Sequence, residues 1–287
     1  MTVLVTGSTG TIGKVIVNKL AEQGINVRAL MRTKKEGLFP ETVTTVTGDM
    51  TSVSDMKKAL QGVDTLFLLN AVVPDELTQA LITLDLAVEA GVKNIVYFSV
   101  FNREHFINVP HFTSKYTVEK AIKESGLHAT ILQPAYFYQN DSMLQEAIKH
   151  YNAYPMPVGN QGVAMVDARD IAEVAALEII QREHSEQPLP LKTIEITGPD
   201  LITGEKAAAV WSSVLGTSVS YAGDDLDALE NMMLQFANET LARDMKIMFR
   251  SFQTGGMKPA ADTVSNVESI LNRKLKTYQE FIAESVR

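Results

Sequence analysis

Apolar residues follow two alternating rhythms through the first two-thirds of the chain. Short runs rich in β-branched residues, at 2–6, 26–31, 42–47, 64–70, 94–99 and 129–133, have the length and composition of buried strands. Longer stretches with helical spacing stand between the early ones. The segment 13–23 sets Val15, Ile16 and Leu20 on one side and stops at Gly24, and 55–61 closes at Gly62. In 76–90, Leu77, Ala80, Leu81, Leu84 and Val88 share a face, and Gly91 ends the run. Strand, helix and glycine stop, repeated in this order, predict an α/β fold with a doubly wound, Rossmann-type parallel sheet.

The rhythm changes after Gln133, where Pro134, Pro155, Pro157, Gly159 and Gly162 mark loops. A helix is expected over 166–181, with Asp170 near its start. A Gln-Pro-Leu-Pro connector at 187–190 precedes a strand at 193–197. From Thr203 the pattern is mainly helical, over 205–215 and a Met- and Leu-rich stretch at 224–248. The expected organisation is a dinucleotide-binding domain over 1–150, to which 160–200 returns, and a smaller C-terminal substrate lobe over 201–287.

Composition narrows the functions open to such a fold. A net charge of −8 leaves no broad basic excess to neutralise nucleic-acid phosphates or an anionic membrane. No apolar run is long enough to span a bilayer, so neither nucleic acid nor membrane is an expected partner. The chain has no cysteine, which excludes thiolate catalysis, and its five histidines show no metal-ligand spacing. No metal is expected, and redox chemistry here needs a borrowed cofactor. The start of the chain runs directly into the first strand rather than a targeting leader, and a cytoplasmic location is expected.

The candidate for holding that cofactor is Gly7-Ser8-Thr9-Gly10-Thr11-Ile12-Gly13, between the first strand and the first helix. Glycines at this spacing allow a tight turn, close approach of backbone to a pyrophosphate and close packing of helix on strand. The helix N-terminus then presents unpaired N–H groups to the phosphates. A nucleoside-triphosphate loop would need Gly-Lys-Ser/Thr, whereas Val15 follows Lys14. The second strand ends in Arg32-Thr33-Lys34-Lys35, where NAD-selective sites place an acid on the ribose 2′-hydroxyl. Positive charge there suits a 2′-phosphate, so NADP(H) is expected ahead of NAD(H); a solvated basic turn is the other reading. Asp49, after the third strand, suits either an adenine amino group or the cap of the next helix.

These residues resemble the short-chain dehydrogenase/reductase superfamily, in its atypical NmrA-like branch. The likeness extends through Gly48-Asp49, Val96-Tyr97-Phe98-Ser99, Pro110-His111-Phe112-Thr113-Ser114-Lys115-Tyr116 with Glu119, Thr130-Ile131-Leu132-Gln133-Pro134 with Phe137, and Asp167-Ala168-Arg169-Asp170. It covers about residues 1–200 and is looser past Thr203. The resemblance implies cofactor contacts from Gly7, Thr9, Gly10, Thr11, Ile12, Gly13, Arg32, Asp49, Met50, Leu69, Asn70, Ser99, Lys115, Pro134 and Phe137. It implies three activities: NAD(P)H-dependent reduction of quinone-like or other small electron-poor acceptors, cofactor sensing without turnover, and sugar-nucleotide epimerisation. A small-molecule acceptor is the expected partner, with a second copy or a regulatory protein left open.

One position departs from the superfamily pattern. Its catalytic members pair a serine with Tyr-x-x-x-Lys, and here Ser99 and Lys115 are present while His111 stands in the tyrosine position. An imidazole titrates near neutrality and is competent as acid or base; lining the substrate pocket is the alternative role. Tyr116 lies about 100° around the helix from Lys115. Tyr97 shares a strand face with Ser99, where a core role is expected. Reduction of a quinone asks less of the protein, since water can deliver the proton. Asp167 and Asp170 are read as structural, Met232, Met233, Met245 and Met248 as core, and Arg243, Lys246 and Arg250 as a solvated stripe.

Overall fold

The computed structural model describes residues 1–287. Its principal sheet has seven strands: β1 (Thr2–Val5), β2 (Asn26–Met31), β3 (Thr44–Thr47), β4 (Thr65–Leu68), β5 (Asn94–Phe98), β6 (His128–Pro134) and, defined below, β10, in the order β10-β6-β5-β4-β1-β2-β3. The pairs β1–β2, β2–β3, β1–β4, β4–β5 and β5–β6 are all parallel. The chain winds outward from β1 in one direction to β3 and in the other from β4, so strand order reverses between β1 and β4. Ligands of such sheets bind beyond the carboxyl ends of the strands at this switch point.

Four helices cross between these strands: α1 (Thr11–Glu22), α2 (Val53–Leu60), α3 (Glu76–Glu89) and α4 (Pro110–Glu124). Leu4, Leu30, Leu66, Leu68, Ile95, Tyr97 and Ile131 pack with Met56 of α2, Leu84 of α3 and Val118 and Ile122 of α4. Strand side chains alternate between faces, so Val3, Val5, Phe67 and Val96 are turned the other way and are also fully buried. Both faces being covered explains why these strands read as continuous apolar runs. Tyr97 belongs to this core, as its position on a buried strand suggested.

Contacts divide the chain into two interleaved units, one of residues 1–100, 114–133 and 169–194, the other of 101–113, 134–168 and 195–287. The break at 133/134 falls where the sequence rhythm changes. The second unit holds the expected 201–287 segment and, in addition, two earlier segments. Short strands β7 (Tyr136–Phe137), β8 (Ala153–Tyr154), β9 (Val163–Val166), β11 (Leu201–Ile202) and β12 (Ser220–Tyr221) form small sheets, β11-β9-β7 and β12-β8. Two-residue strands carry too little pattern to be read from sequence. The expected helix at 166–181 is β9 followed by α7 (Ala168–His184), so Val166 ends a strand. β10 (Lys192–Ile196) then joins the principal sheet beside β6.

The remaining helices are α5 (Tyr138–Ser142), α6 (Gln145–Tyr151), α8 (Gly204–Leu215), α9 (Leu226–Met233), α10 (Glu239–Gly255), α11 (Thr263–Leu271) and α12 (Tyr278–Ser285). The expected 224–248 stretch is two helices, because Asp225 and Asn238 each cap a separate N-terminus. The predicted solvated stripe needs correction at Lys246, which is buried between Asp227 and Glu230 of α9, with Nζ 2.7 Å from Glu230 Oε2; Arg243 and Arg250 are exposed. Of the four methionines assigned to the core, Met248 is buried and the others are half-buried. No helix is long and apolar enough to cross a membrane.

A carboxylate sits at the centre of the second unit. Asp141 is fully buried, and its Oδ2 accepts hydrogen bonds from Tyr278 (2.6 Å) and Tyr154 (2.9 Å), while Trp211 Nε1 donates to the Tyr278 hydroxyl at 3.1 Å. Oδ1 has no partner. Burial pushes the Asp141 carboxyl up to about 6, against the two tyrosine hydrogen bonds that favour the charged form. A folded-state value above the unfolded one means that the native protein binds the extra proton, so this group's contribution to stability falls as pH rises from about 4 to about 6. Asp141→Asn removes that dependence. Between pH 4 and pH 7 the variant should gain about 2–3 kcal/mol on the native protein in urea-unfolding free energy; a difference independent of pH would contradict the assignment.

Candidate cofactor and active site

The glycine loop leaves β1 where β1 and β4 are locked together. Leu69 N donates to Thr6 Oγ1 at 2.8 Å and Thr6 Oγ1 donates to the Leu69 carbonyl at 3.0 Å. Ser8 Oγ donates to the Leu30 carbonyl at 2.5 Å, which ties the loop to β2 as well. Gly7 turns the chain with a left-handed φ of 60°, a conformation costly to other residues. Gly13 is required for space: a Cβ there would lie 2.2 Å from the Gly7 carbonyl oxygen and 2.7 Å from its carbon. At Gly10 the nearest atom would be 3.4 Å away, so that side of the loop is open.

Gly10 caps α1 without a side chain, and no acidic residue occupies the helix's first turn. The first-turn amides of α1 therefore have no side chain of this chain as acceptor, and Thr9, Gly10 and Thr11 are exposed. An uncapped helix start at the switch point, with a glycine cradle beside it, fits the pyrophosphate of a dinucleotide.

The other predicted residues of the first unit follow the carboxyl ends of successive strands. Arg32 comes directly after β2, exposed and outside any salt bridge; Lys34 pairs weakly with Glu36 at 3.4 Å. Asp49 and Met50 follow β3. Asp49 Oδ1 accepts from Thr51 N and Thr51 Oγ1, both at 2.8 Å, and these bonds, with a smaller effect of Arg32, hold its carboxyl below the ordinary value. The helix cap itself is Ser52, which accepts from Asp55 N. Asn70, after β4, is buried with Nδ2 at 3.9 Å from Met50 Sδ and with Oδ1 unpartnered. Met50 and Asn70 are thus neighbours.

Two predicted residues are already engaged. Lys115 Nζ lies 2.5 Å from Glu76 Oε1, in an ion pair whose side chains are 7% and 4% exposed. Ser99 Oγ donates to Glu119 Oε1 at 2.5 Å, and Gln133 Nε2 donates to the same oxygen at 2.9 Å. Burial, with the charges of Glu76 and Glu119, pushes the Tyr97 phenol well up, which removes it as a neutral-pH acid. Tyr116 faces elsewhere, with the Lys120 ammonium over its ring. Neither tyrosine takes the place left open in the superfamily pattern.

In the second unit His111, 8% exposed, bonds through Nδ1 to Asp244 Oδ1 at 2.7 Å, and its backbone N–H donates to Asp244 Oδ2 at 3.2 Å. Phe137 pairs with Val166 in the β7–β9 ladder and immediately precedes α5. Pro134 ends β6, and its carbonyl accepts from Phe101 N. Asp167 Oδ1 accepts from Gln139 Nε2 at 2.8 Å, which fits the structural reading of that carboxylate. Sequence reasoning missed Glu76 and Asp244. Asp244 left a signal, since it interrupts an apolar stripe of α10 that includes Leu241, Met245, Met248 and Phe252.

The model of the NmrA-like family matches residues 1–282. The chain belongs to the NmrA-like family. The chain is 30% identical over 284 residues, 97% of its own length and 96% of the relative's, to an NAD(P)H azoreductase of Xenophilus azovorans. Among solved structures it resembles an NADPH-dependent quinone oxidoreductase from Escherichia coli complexed with NADPH (TM-score 0.86, 21% identity, 99% of this chain and 100% of that one). It resembles equally a Citrobacter sp. triphenylmethane reductase complexed with NADP(H) (TM-score 0.86, 20% identity, 99% of each chain). At these identities the structural likeness speaks for the NmrA-like fold alone.

Two substitutions test the packing of this region. Gly13→Ala forces backbone to move and should lower stability by about 1–3 kcal/mol or more, read as a fall in unfolding midpoint. Glu76→Gln leaves the Lys115 ammonium buried without its counter-charge and should cost about 3–5 kcal/mol, whereas Glu76→Leu with Lys115→Met restores most of the loss. A Glu76→Gln protein as stable as the native one would show that the pair is not closed in solution.

Proposed function

We propose that this protein is an NADPH-dependent oxidoreductase that reduces quinone-like, azo or other small electron-poor acceptors. The observation that carries the reading is the uncapped start of α1, welded to the switch point by Gly13 against Gly7, with Arg32 rather than an acid directly after β2. The acceptor class is supported by the family and by the likeness to an azoreductase over nearly the whole chain. When bound, the reduced nicotinamide supplies the hydride.

In this reading the loop, from Gly7 through Thr9, Gly10, Thr11 and Ile12 to Gly13, holds the pyrophosphate, and Arg32 holds the 2′-phosphate. Asp49 and Met50 border the adenine. Leu69, Asn70, Ser99 and Lys115 of the first unit border the remainder of the dinucleotide. Ser99 and Lys115 do so while tied to Glu119 and Glu76: the Ser99 hydroxyl, its proton given to Glu119, presents an acceptor oxygen, and the Lys115 ammonium keeps further N–H donors in a fixed position. His111 serves the acceptor as proton donor, and residues 201–287 supply much of what selects that acceptor. Reduction needs no tyrosine, because hydride arrives at an electron-poor centre and one proton completes the product.

A second reading, cofactor sensing without turnover, is favoured by one observation: Lys115 is occupied by Glu76, and His111 stands in the tyrosine position four residues before it. NADPH oxidation against a panel of quinones, azo dyes and aldehydes, with NADH alongside, separates the two. Oxidoreductase function predicts turnover above background with at least one acceptor. Tight NADPH binding with no turnover across the panel would leave the sensor. Arg32→Ala should raise KM for NADPH about 10- to 100-fold and leave KM for NADH nearly unchanged, the loss of one charge-assisted phosphate contact. Equal effects on both cofactors would overturn the 2′-phosphate role.

A further inference from the structure

His111 and Asp244 are 133 residues apart in sequence, yet the two meet through two bonds on the same carboxylate. Asp244, on α10, accepts the His111 backbone N–H on Oδ2 and faces the ring Nδ1 with Oδ1. Both side chains are nearly closed to solvent, at 8% and 9% exposure. An ionised carboxylate has acceptors only, so a hydrogen bond between Asp244 Oδ1 in that form and the ring requires the proton on His111 Nδ1. The ring packs edge-on against Phe112, with centroids 4.7 Å apart, and Nε2 takes no hydrogen-bond partner. A buried histidine held by a carboxylate at one nitrogen and left open at the other has the arrangement of an oriented acid or base.

We infer that Asp244 is a positioning residue that fixes the tautomer and orientation of His111, so that Nε2 is the atom that exchanges protons with the acceptor. This rests on the oxidoreductase reading. As the acceptor takes up a hydride (two electrons and one proton) from the reduced nicotinamide, negative charge gathers on its oxygen or nitrogen. Imidazolium Nε2–H breaks and the proton forms the new O–H or N–H bond. The histidine is left neutral, with Nδ1–H still on Asp244, and regains its Nε2 proton from water. Asp244 keeps its hydrogen bond to Nδ1 throughout and holds the ring in place.

Asp244→Asn gives a directional test, because the amide has one acceptor oxygen and one donor nitrogen where the carboxylate has two acceptors. The His111 backbone N–H can only donate, so it claims the amide oxygen. The amide NH2 then faces Nδ1 and drives the ring to the Nε2–H tautomer. Nitrogen-15 NMR of the cofactor-free protein should show neutral His111 as Nδ1–H in the native chain and as Nε2–H in Asp244→Asn. In turnover, Asp244→Asn should lower kcat by about 10- to 100-fold, within the range a positioned acid contributes, with KM and binding of NADPH unchanged. His111→Gln should lose a similar amount, and the double variant little more than either alone. Asp244→Glu keeps an acceptor-only group and should retain Nδ1–H and at least about a third of kcat, which also serves if Asp244→Asn does not fold.

Native His111 found as Nε2–H would overturn the inference. So would Asp244→Asn turning over at the native rate, or Asp244→Glu folding normally with kcat as low as that of His111→Gln. A native protein inactive toward every acceptor is a different failure: it removes the oxidoreductase reading and the proton transfer with it, whatever the tautomer.

Discussion

Backbone meets backbone where β1 turns into α1, and most of the first unit is arranged around that contact. Gly13 lies so close to the Gly7 carbonyl that no side-chain atom fits between them. The approach lets α1 begin directly at the strand end, with its first-turn amides left uncapped. Thr6 then joins the end of β1 to β4 through Leu69, and Ser8 joins the loop to β2 through Leu30. Three strands are thereby held at the point where strand order reverses. The helix dipole and the unpaired amides act on a ligand only because this contact fixes where they point.

A second theme runs through the polar residues. Lys115, Ser99 and His111 each meet a carboxylate remote in sequence or a turn or more away: Glu76, Glu119 and Asp244. Each pair is buried, so its members are held in one geometry, and removing either partner strands the other in a medium that solvates charge poorly. Loss of the superfamily tyrosine has not left an unstructured gap. The core absorbed Tyr97, and the histidine in the tyrosine position acquired a carboxylate of its own. Asp141 shows the opposite balance, a buried acid satisfied on one oxygen only and therefore reluctant to ionise.

The parallel sheet and its crossover helices were legible in the residues because both are written in local pattern. β-branched runs buried on both faces have few alternatives, and glycine stops mark helix ends through backbone conformation alone. The glycine loop was legible for the same reason, since its requirements concern adjacent residues. Boundaries were less so where elements are short: β7, β8, β11 and β12 have two residues each, too few for a period to show. The 224–248 stretch read as helical without its internal break, and the two caps that divide it are ordinary polar residues until their backbone conformation is known.

Partners across the fold were beyond the sequence. Nothing near Lys115 announces Glu76, and nothing near His111 announces Asp244, since the separations are 39 and 133 residues. Lys246 read as solvated because its neighbours Arg243 and Arg250 are, yet packing of α10 on α9 buries it between two acids. By itself the sequence determined the sheet, the phosphate-type cradle and the basic end of β2, features set by backbone conformation and by residues a few positions apart. Only the tertiary structure decided which acid faces which base. Charge pairing depends on distance in space and on the absence of water, and chain folding sets both.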